Sequence, residues 1–132
     1  MGISLVATLQ HKDTRMAKHL KLGKRAERLA VEYLVRNNYQ ILDKNYRAGK
    51  AEVDIIAQKE QILVFVEVKS KHQTDHGYPE EQINQHKINL LSEAANRFQI
   101  EHQWEKEIRF DSISITFLPQ ACKLEHFEDA FS

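Results

Sequence analysis

From about Ala17 the apolar positions fall on a helical stripe: Leu20, Ala26, Leu29, Ala30, Tyr33 and Leu34 line one side, with Lys, Arg and Glu opposite. Asn37-Asn38 ends this helix, because Asn tolerates the left-handed cap position. Tyr39, Ile41 and the stretch to Tyr46 read as a short strand, closed by a turn at Ala48-Gly49-Lys50. Glu52 to Ala57 forms a second strand, the run 58–61 a polar turn, and Ile62 to Lys69 the strongest strand signal of the chain. Residues 70–79 read as a loop marked by His76-Gly77-Tyr78-Pro79. A long helix follows from about Glu80 to Phe98, on the stripe Ile83, Leu90, Leu91, Ala94, Ala95 and Phe98. Arg109 to Leu118 is a last strand closed by Pro119, and the tail with Leu124, Phe127, Ala130 and Phe131 is expected to pack back onto the body.

The predicted order is therefore α-β-β-β-α-β. Short turns make the first three strands an antiparallel meander, and the helical crossover sets the fourth strand parallel to the third. The result is an α/β fold with a mixed sheet flanked by helices. Residues 1–15 show no sustained period and read as a flexible arm, leaving 16–132 as a single domain.

Composition adds limits. A chain of 132 residues with 42% hydrophobic and 29% charged positions can build one core under a well-solvated surface. Cys122 is the sole cysteine, so no disulfide framework or thiolate zinc site is available and a reducing, cytoplasmic setting is expected. The interior lacks an apolar run of the roughly 20 residues needed to span a bilayer, and the opening MGISLVATLQ has neither a basic signal region nor a myristoylation pattern. No membrane partner is expected.

The formal charge is zero, yet it is unevenly spread. Residues 1–50 hold eleven Lys/Arg against four Asp/Glu, and residues 51–132 hold eight against fifteen. The dense block Lys12, Arg15, Lys18, Lys21, Lys24, Arg25 and Arg28 is either a polyphosphate-binding patch or a helix face paired with the acidic half.

Candidate chemistry centres on the third strand. Glu67 and Lys69 are two apart and share a face, while Val64, Val66 and Val68 point to the core. A hairpin turning at 58–61 brings Asp54 opposite or diagonal to Glu67. Converging carboxylates repel unless a positive charge lies between them, and a hard divalent ion meets that need. Asp54, Glu67 and the backbone carbonyl of Val68 are the candidate ligands of Mg²⁺ or Mn²⁺, with Glu27 from the first helix as an extra ligand directly or through water. Lys69 would orient or help deprotonate the attacking water and offset charge in the transition state. The competing reading is a set of cross-strand ion pairs on a solvated face, since a D…ExK spacing alone is weak.

The runs 51–57 (AEVDIIA) and 64–71 (VFVEVKSK), with 23–30 (GKRAERLA), Asn45-Tyr46-Arg47, Lys87, Arg109-Phe110-Asp111 and the closing Ala130-Phe131, resemble the YraN-like family of predicted endonucleases. That family belongs to the PD-(D/E)XK nuclease superfamily and is similar to archaeal Holliday-junction resolvases. The resemblance implies a restriction-endonuclease-like core, with Glu27, Asp54, Glu67 and Lys69 at the superfamily's metal and catalytic positions. Ala51 departs from the Gly usual there.

The expected activity is metal-dependent hydrolysis of phosphodiester bonds in branched or otherwise structured DNA. The rival is a non-catalytic nucleic-acid-binding or scaffold protein that keeps the fold. Lys24, Arg25, Arg28, Arg47, Lys71 and Lys87 are the candidate phosphate contacts, each also readable as a solvated or paired surface charge. A homodimer would suit symmetric junctions. Arg109 and Asp111 read as a structural pair and Trp104 and Tyr78 as cover for the core or sheet edge; His72 and His76 are four apart, but Gly77 and Pro79 argue against a helix there and no Cys or third His has matching spacing for a zinc site.

Overall fold

In the computed structural model residues 2–6, 15–72 and 85–131 are described, with backbone alone for 2–6 and 15–20. The helix predicted from Ala17 is α1 (Arg15–Arg36). It ends in a Schellman cap, with Asn38 at φ 69°, the Tyr39 amide donating to the Leu34 carbonyl at 2.9 Å and the Asn38 amide to that of Val35 at 3.1 Å. The meander is β2 (Gln40–Ala48), β3 (Ala51–Lys59) and β4 (Ile62–His72), preceded at the chain start by β1 (Gly2–Val6). Gly49 supplies the positive φ of 62° that the two-residue turn between β2 and β3 requires. Helix α2 (Gln85–Glu101) crosses over to β5 (Glu107–Phe117), and β6 (Ala121–Phe127) follows.

The six strands of the described residues form one mixed sheet in the order β1-β6-β5-β4-β3-β2, antiparallel except for the central β4–β5 pair. Two elements depart from expectation. Residues 2–6 of the expected arm pair with β6, and the tail expected to pack back onto the body does so as a ladder strand on β5. Ser70–His72, read as loop, extend β4 along β5. The loop motif 76–79, Tyr78 and the expected start of the second helix at 80–84 lie outside the described residues, as do 7–14.

Alternation along the strands loads both faces. Leu22, Ala26, Ala30 and Leu34 of α1 pack on Ile55, Ala57, Val64, Val66, Ile113, Ile115 and Leu124. Leu91, Ala94, Ala95 and Phe98 of α2 pack on Val53, Ile56, Leu63 and Phe65 from the other side. Ala51, at the position usually Gly in the resembling family, is 2% exposed and pairs with Ala48 beside the turn, a place a small side chain fills without strain.

Candidate functional site

Strict alternation fails at one point of β3. Val53 packs under α2, yet Ile55, two residues on, packs under α1. The strand therefore twists at Asp54. There, too, β3 and β4 part: their ladder runs from Lys59↔Ile62 to Ile55↔Val66, beyond which β4 continues along β5 and β3 along β2. Asp54 bridges the fork, its Oδ2 accepting the Val68 amide at 2.7 Å. A strand residue turns its N–H and C=O to the same side, so the Val68 carbonyl faces the fork as well.

Glu67 occupies the position next to Val66, the last residue of β4 paired with β3, where the hairpin reading put it opposite or diagonal to Asp54. It is 15% exposed and pairs with Lys87 Nζ from the first turn of α2 at 2.7 Å and with Lys69 Nζ at 3.6 Å. Burial raises the Asp54 pKa to about 6; the Val68 hydrogen bond opposes this, while the charges of Glu27, Glu67 and Glu52 add to it. Three acidic side chains thus act on one half-buried carboxylate.

Glu27 of α1 contributes through its charge. Among the described residues no three His, Cys, Asp or Glu groups stand close enough to enclose a metal by themselves. The donor set at the fork is two carboxylates and a strand carbonyl, all hard oxygens. It suits an oxygen-ligated divalent ion that keeps several waters, and such an ion would also relieve the repulsion at Asp54.

The candidate phosphate contacts separate. Lys24 and Arg28 are exposed on the outer face of α1, with Arg25 half-buried beside them, and Lys71 is exposed near the end of β4. Arg47 pairs with Glu52 at 2.9 Å on the β2–β3 hairpin, the structural alternative for that residue. Lys87 holds Glu67 and is not merely a solvated charge. Spacing carried no sign of this contact, since it depends on how α2 lies across the sheet. Trp104 takes the covering role, packed beside α2 with Nε1 donating to the Glu107 carbonyl at 3.0 Å.

On the α1 face a second polar cluster surrounds Asp111, which is fully buried. Arg109 donates from Nε and a terminal nitrogen, both at 2.8 Å, and the Asp129 amide donates at 3.1 Å. His126 Nε2 stands 2.7 Å from the same carboxylate and its Nδ1 3.0 Å from the Tyr33 hydroxyl; Arg109 also donates to the Tyr39 hydroxyl at 2.7 Å. The expected Arg109–Asp111 structural pair is present, enlarged into a network. Burial works against the Asp111 carboxylate, but hydrogen bonds from His126, Arg109 and the Asp129 amide outweigh it and hold its pKa below the ordinary value.

The sequence profile described as "Uncharacterised protein family UPF0102" matches residues 26–115, which include every residue of the fork. A UPF0102 protein of Flavobacterium psychrophilum is 48% identical over 116 residues, covering 88% of this chain and 98% of the relative. One from Christiangramia forsetii is 43% identical over 116 residues, with the same coverage of both chains. A UPF0102 protein of Geobacter metallireducens is 40% identical over 118 residues, covering 88% of this chain and 97% of its own. No described helix is long and apolar enough to cross a membrane.

Proposed function

The chain belongs to the UPF0102 family, and for this member we propose a metal-dependent endonuclease that hydrolyses phosphodiester bonds in branched or otherwise structured DNA. One observation carries the reading. A half-buried aspartate at a strand fork, its pKa raised to about 6, lies under the charge of Glu67, and Lys69 and Lys87 flank that glutamate. With Asp54 ionised such an arrangement costs the fold stability, and a bound cation would offset that cost.

In this reading Asp54, Glu67 and the Val68 carbonyl would hold Mg²⁺ or Mn²⁺, and Glu27 would add negative charge nearby. The bound ion would supply Lewis-acid polarisation of the phosphate and a water of lowered pKa. Lys69 orients the attacking water and offsets charge on the phosphoryl oxygens. The water oxygen bonds to phosphorus and gives up a proton to solvent, the P–O bond to one sugar breaks, and the leaving alkoxide takes up a proton from solvent. Lys87 fixes the Glu67 carboxylate at the fork. The exposed Lys24 and Arg28, with Arg25, offer the substrate a basic helix face.

A cleavage panel of single-stranded, duplex, flap and four-way DNA, with Mg²⁺ or Mn²⁺, tests this directly. Structured substrates are cut by the wild type and left intact by Glu67→Ala. Equal cutting by both proteins, or none by the wild type with either ion, overturns the proposal. The Lys87–Glu67 contact at 2.7 Å favours a second reading. A lysine that neutralises Glu67 permanently would leave a non-catalytic DNA-binding protein with no saturable metal site.

A further inference from the structure

On its α2 side the described residues cover the sheet only in part. The α2 core takes residues from β2, β3 and the starts of β4 and β5, Ile108 and Phe110 among them, and among the described residues none from the far ends of β4 and β5 or from β6. Strand register fixes what this floor carries. Val64 and Val66, Ile113, Ile115 and Phe117, and Cys122 and Leu124 fill the α1 core, so their alternates face the other way. These alternates form three cross-strand rows. Glu67 lies beside Ser112 and Phe127, Lys69 beside Ser114 and Glu125, and Lys71 beside Thr116 and Lys123.

The rows grade from the acidic fork to a distal row of two lysines and a hydroxyl. Lys71 and Lys123 are exposed, and Ser114 and Thr116 half-buried. Glu125 is the one acid on the middle row, 4.0 Å from Lys123. A sheet face built to receive a helix would be apolar here. This one instead offers donors of the kind that contact phosphate oxygens, Lys ammonium and Ser/Thr hydroxyl groups.

We propose that Lys71, Thr116 and Lys123, with Ser114, form a track for the sugar-phosphate backbone of the DNA strand that leaves the Asp54–Glu67 fork. The proposal rests on the endonuclease reading and names where its substrate lies. At about 3.3 Å per strand residue and about 4.8 Å between strands, Lys71 stands about 13 Å along β4 from Glu67, and Lys123 about 10 Å across from Lys71. The track is therefore close enough to hold the strand whose phosphate is at the fork, and separate enough to be removed without touching the metal ligands.

The test is fluorescence anisotropy with a labelled four-way junction in EDTA, across 50–200 mM NaCl. The proteins are the wild type, the double variant Lys71→Gln/Lys123→Gln, and Lys106→Gln as an exposed control just before β5. Each lost phosphate contact takes about 0.7–0.9 from the slope of log affinity against log salt. The double variant therefore binds more weakly with a slope shallower by about 1.4–1.8, and the control is unchanged. Thr116→Val weakens binding without altering the slope. Calorimetric Mn²⁺ binding stays at the wild-type value in every variant. If the wild type binds and cuts the junction but the double variant keeps its slope, or the control loses as much, the track is wrong and the endonuclease reading survives. If the wild type neither binds nor cuts the junction, both fail.

Discussion

Asp54 and Asp111 stand on the strands to either side of β4, close to the same level, and have opposite fates. Asp111 lies beside Val66 in the ladder, is fully buried, and receives Arg109, His126 and the Asp129 amide. Asp54 sits one position beyond Val66's partner Ile55, is less buried, and receives one backbone amide while three glutamates act on it. The pKa of the first is lowered and that of the second raised to about 6. Burial opposes ionisation at both, so the difference lies in the partners. A carboxylate whose acceptors are filled by its own chain ties strands together; one whose pKa is raised by burial and by neighbouring acids has the character of a functional site.

The largest effect that would break this contrast is on activity. Asp54→Asn should reduce metal-dependent cleavage to background while the fold, followed by circular dichroism, is retained. Asp111→Ala should act the other way. It strands the Arg109 guanidinium and His126 in a dry site and costs about 3–5 kcal/mol in urea denaturation, yet the molecules still folded cut at the normal rate.

The next effect is on stability against pH. A carboxyl whose folded pKa is raised binds its proton more tightly in the native state. Asp54 therefore stabilises the fold when protonated, and that stability drains away as pH rises from about 4 to about 6. Its full differential is at most about 3 kcal/mol, and partial solvent access reduces it to about 1–2 kcal/mol. Asp54→Asn should flatten this window and gain about that much at pH 7. Asp111 has the opposite sign. Its contribution is present above the ordinary carboxylate pKa and is lost as pH falls below it, so Asp111→Asn should flatten the acid limb. Smallest is the effect of Lys87→Met, which removes the nearer of the two ammonium partners of Glu67; Mn²⁺ affinity measured by calorimetry should rise modestly, where Glu67→Gln loses it.

Much of the frame was legible in the residues because its signals are local. Gly49 and the polar run 58–61 set the meander, Asn37-Asn38 closes α1, and the crossover helix makes β4–β5 parallel. The α2 stop was less clear, since Gln103, not Gly or Asn, takes the left-handed cap at φ 50°. Strand β6 escaped for a different reason. His126 occupies an inward position of that strand, satisfied only by Asp111 and Tyr33, so its apolar alternation is broken. The pairing of β1 with β6 joins the two ends of the chain and leaves no trace in any short window.

The site was legible as a spacing and hidden as a geometry. Asp54, Glu67 and Lys69 could be grouped from a hairpin. The strand fork, the twist between Val53 and Ile55, and the reach of Lys87 to Glu67 depend on tertiary packing.

Calorimetric titration of Mn²⁺ into the wild type and Asp54→Asn at pH 6 tests the central claim most directly. The account predicts one saturable event in the wild type, with proton release seen as a dependence on buffer ionisation enthalpy, and no event in Asp54→Asn. A wild type that takes up no ion, or a variant that binds it unchanged, would contradict it.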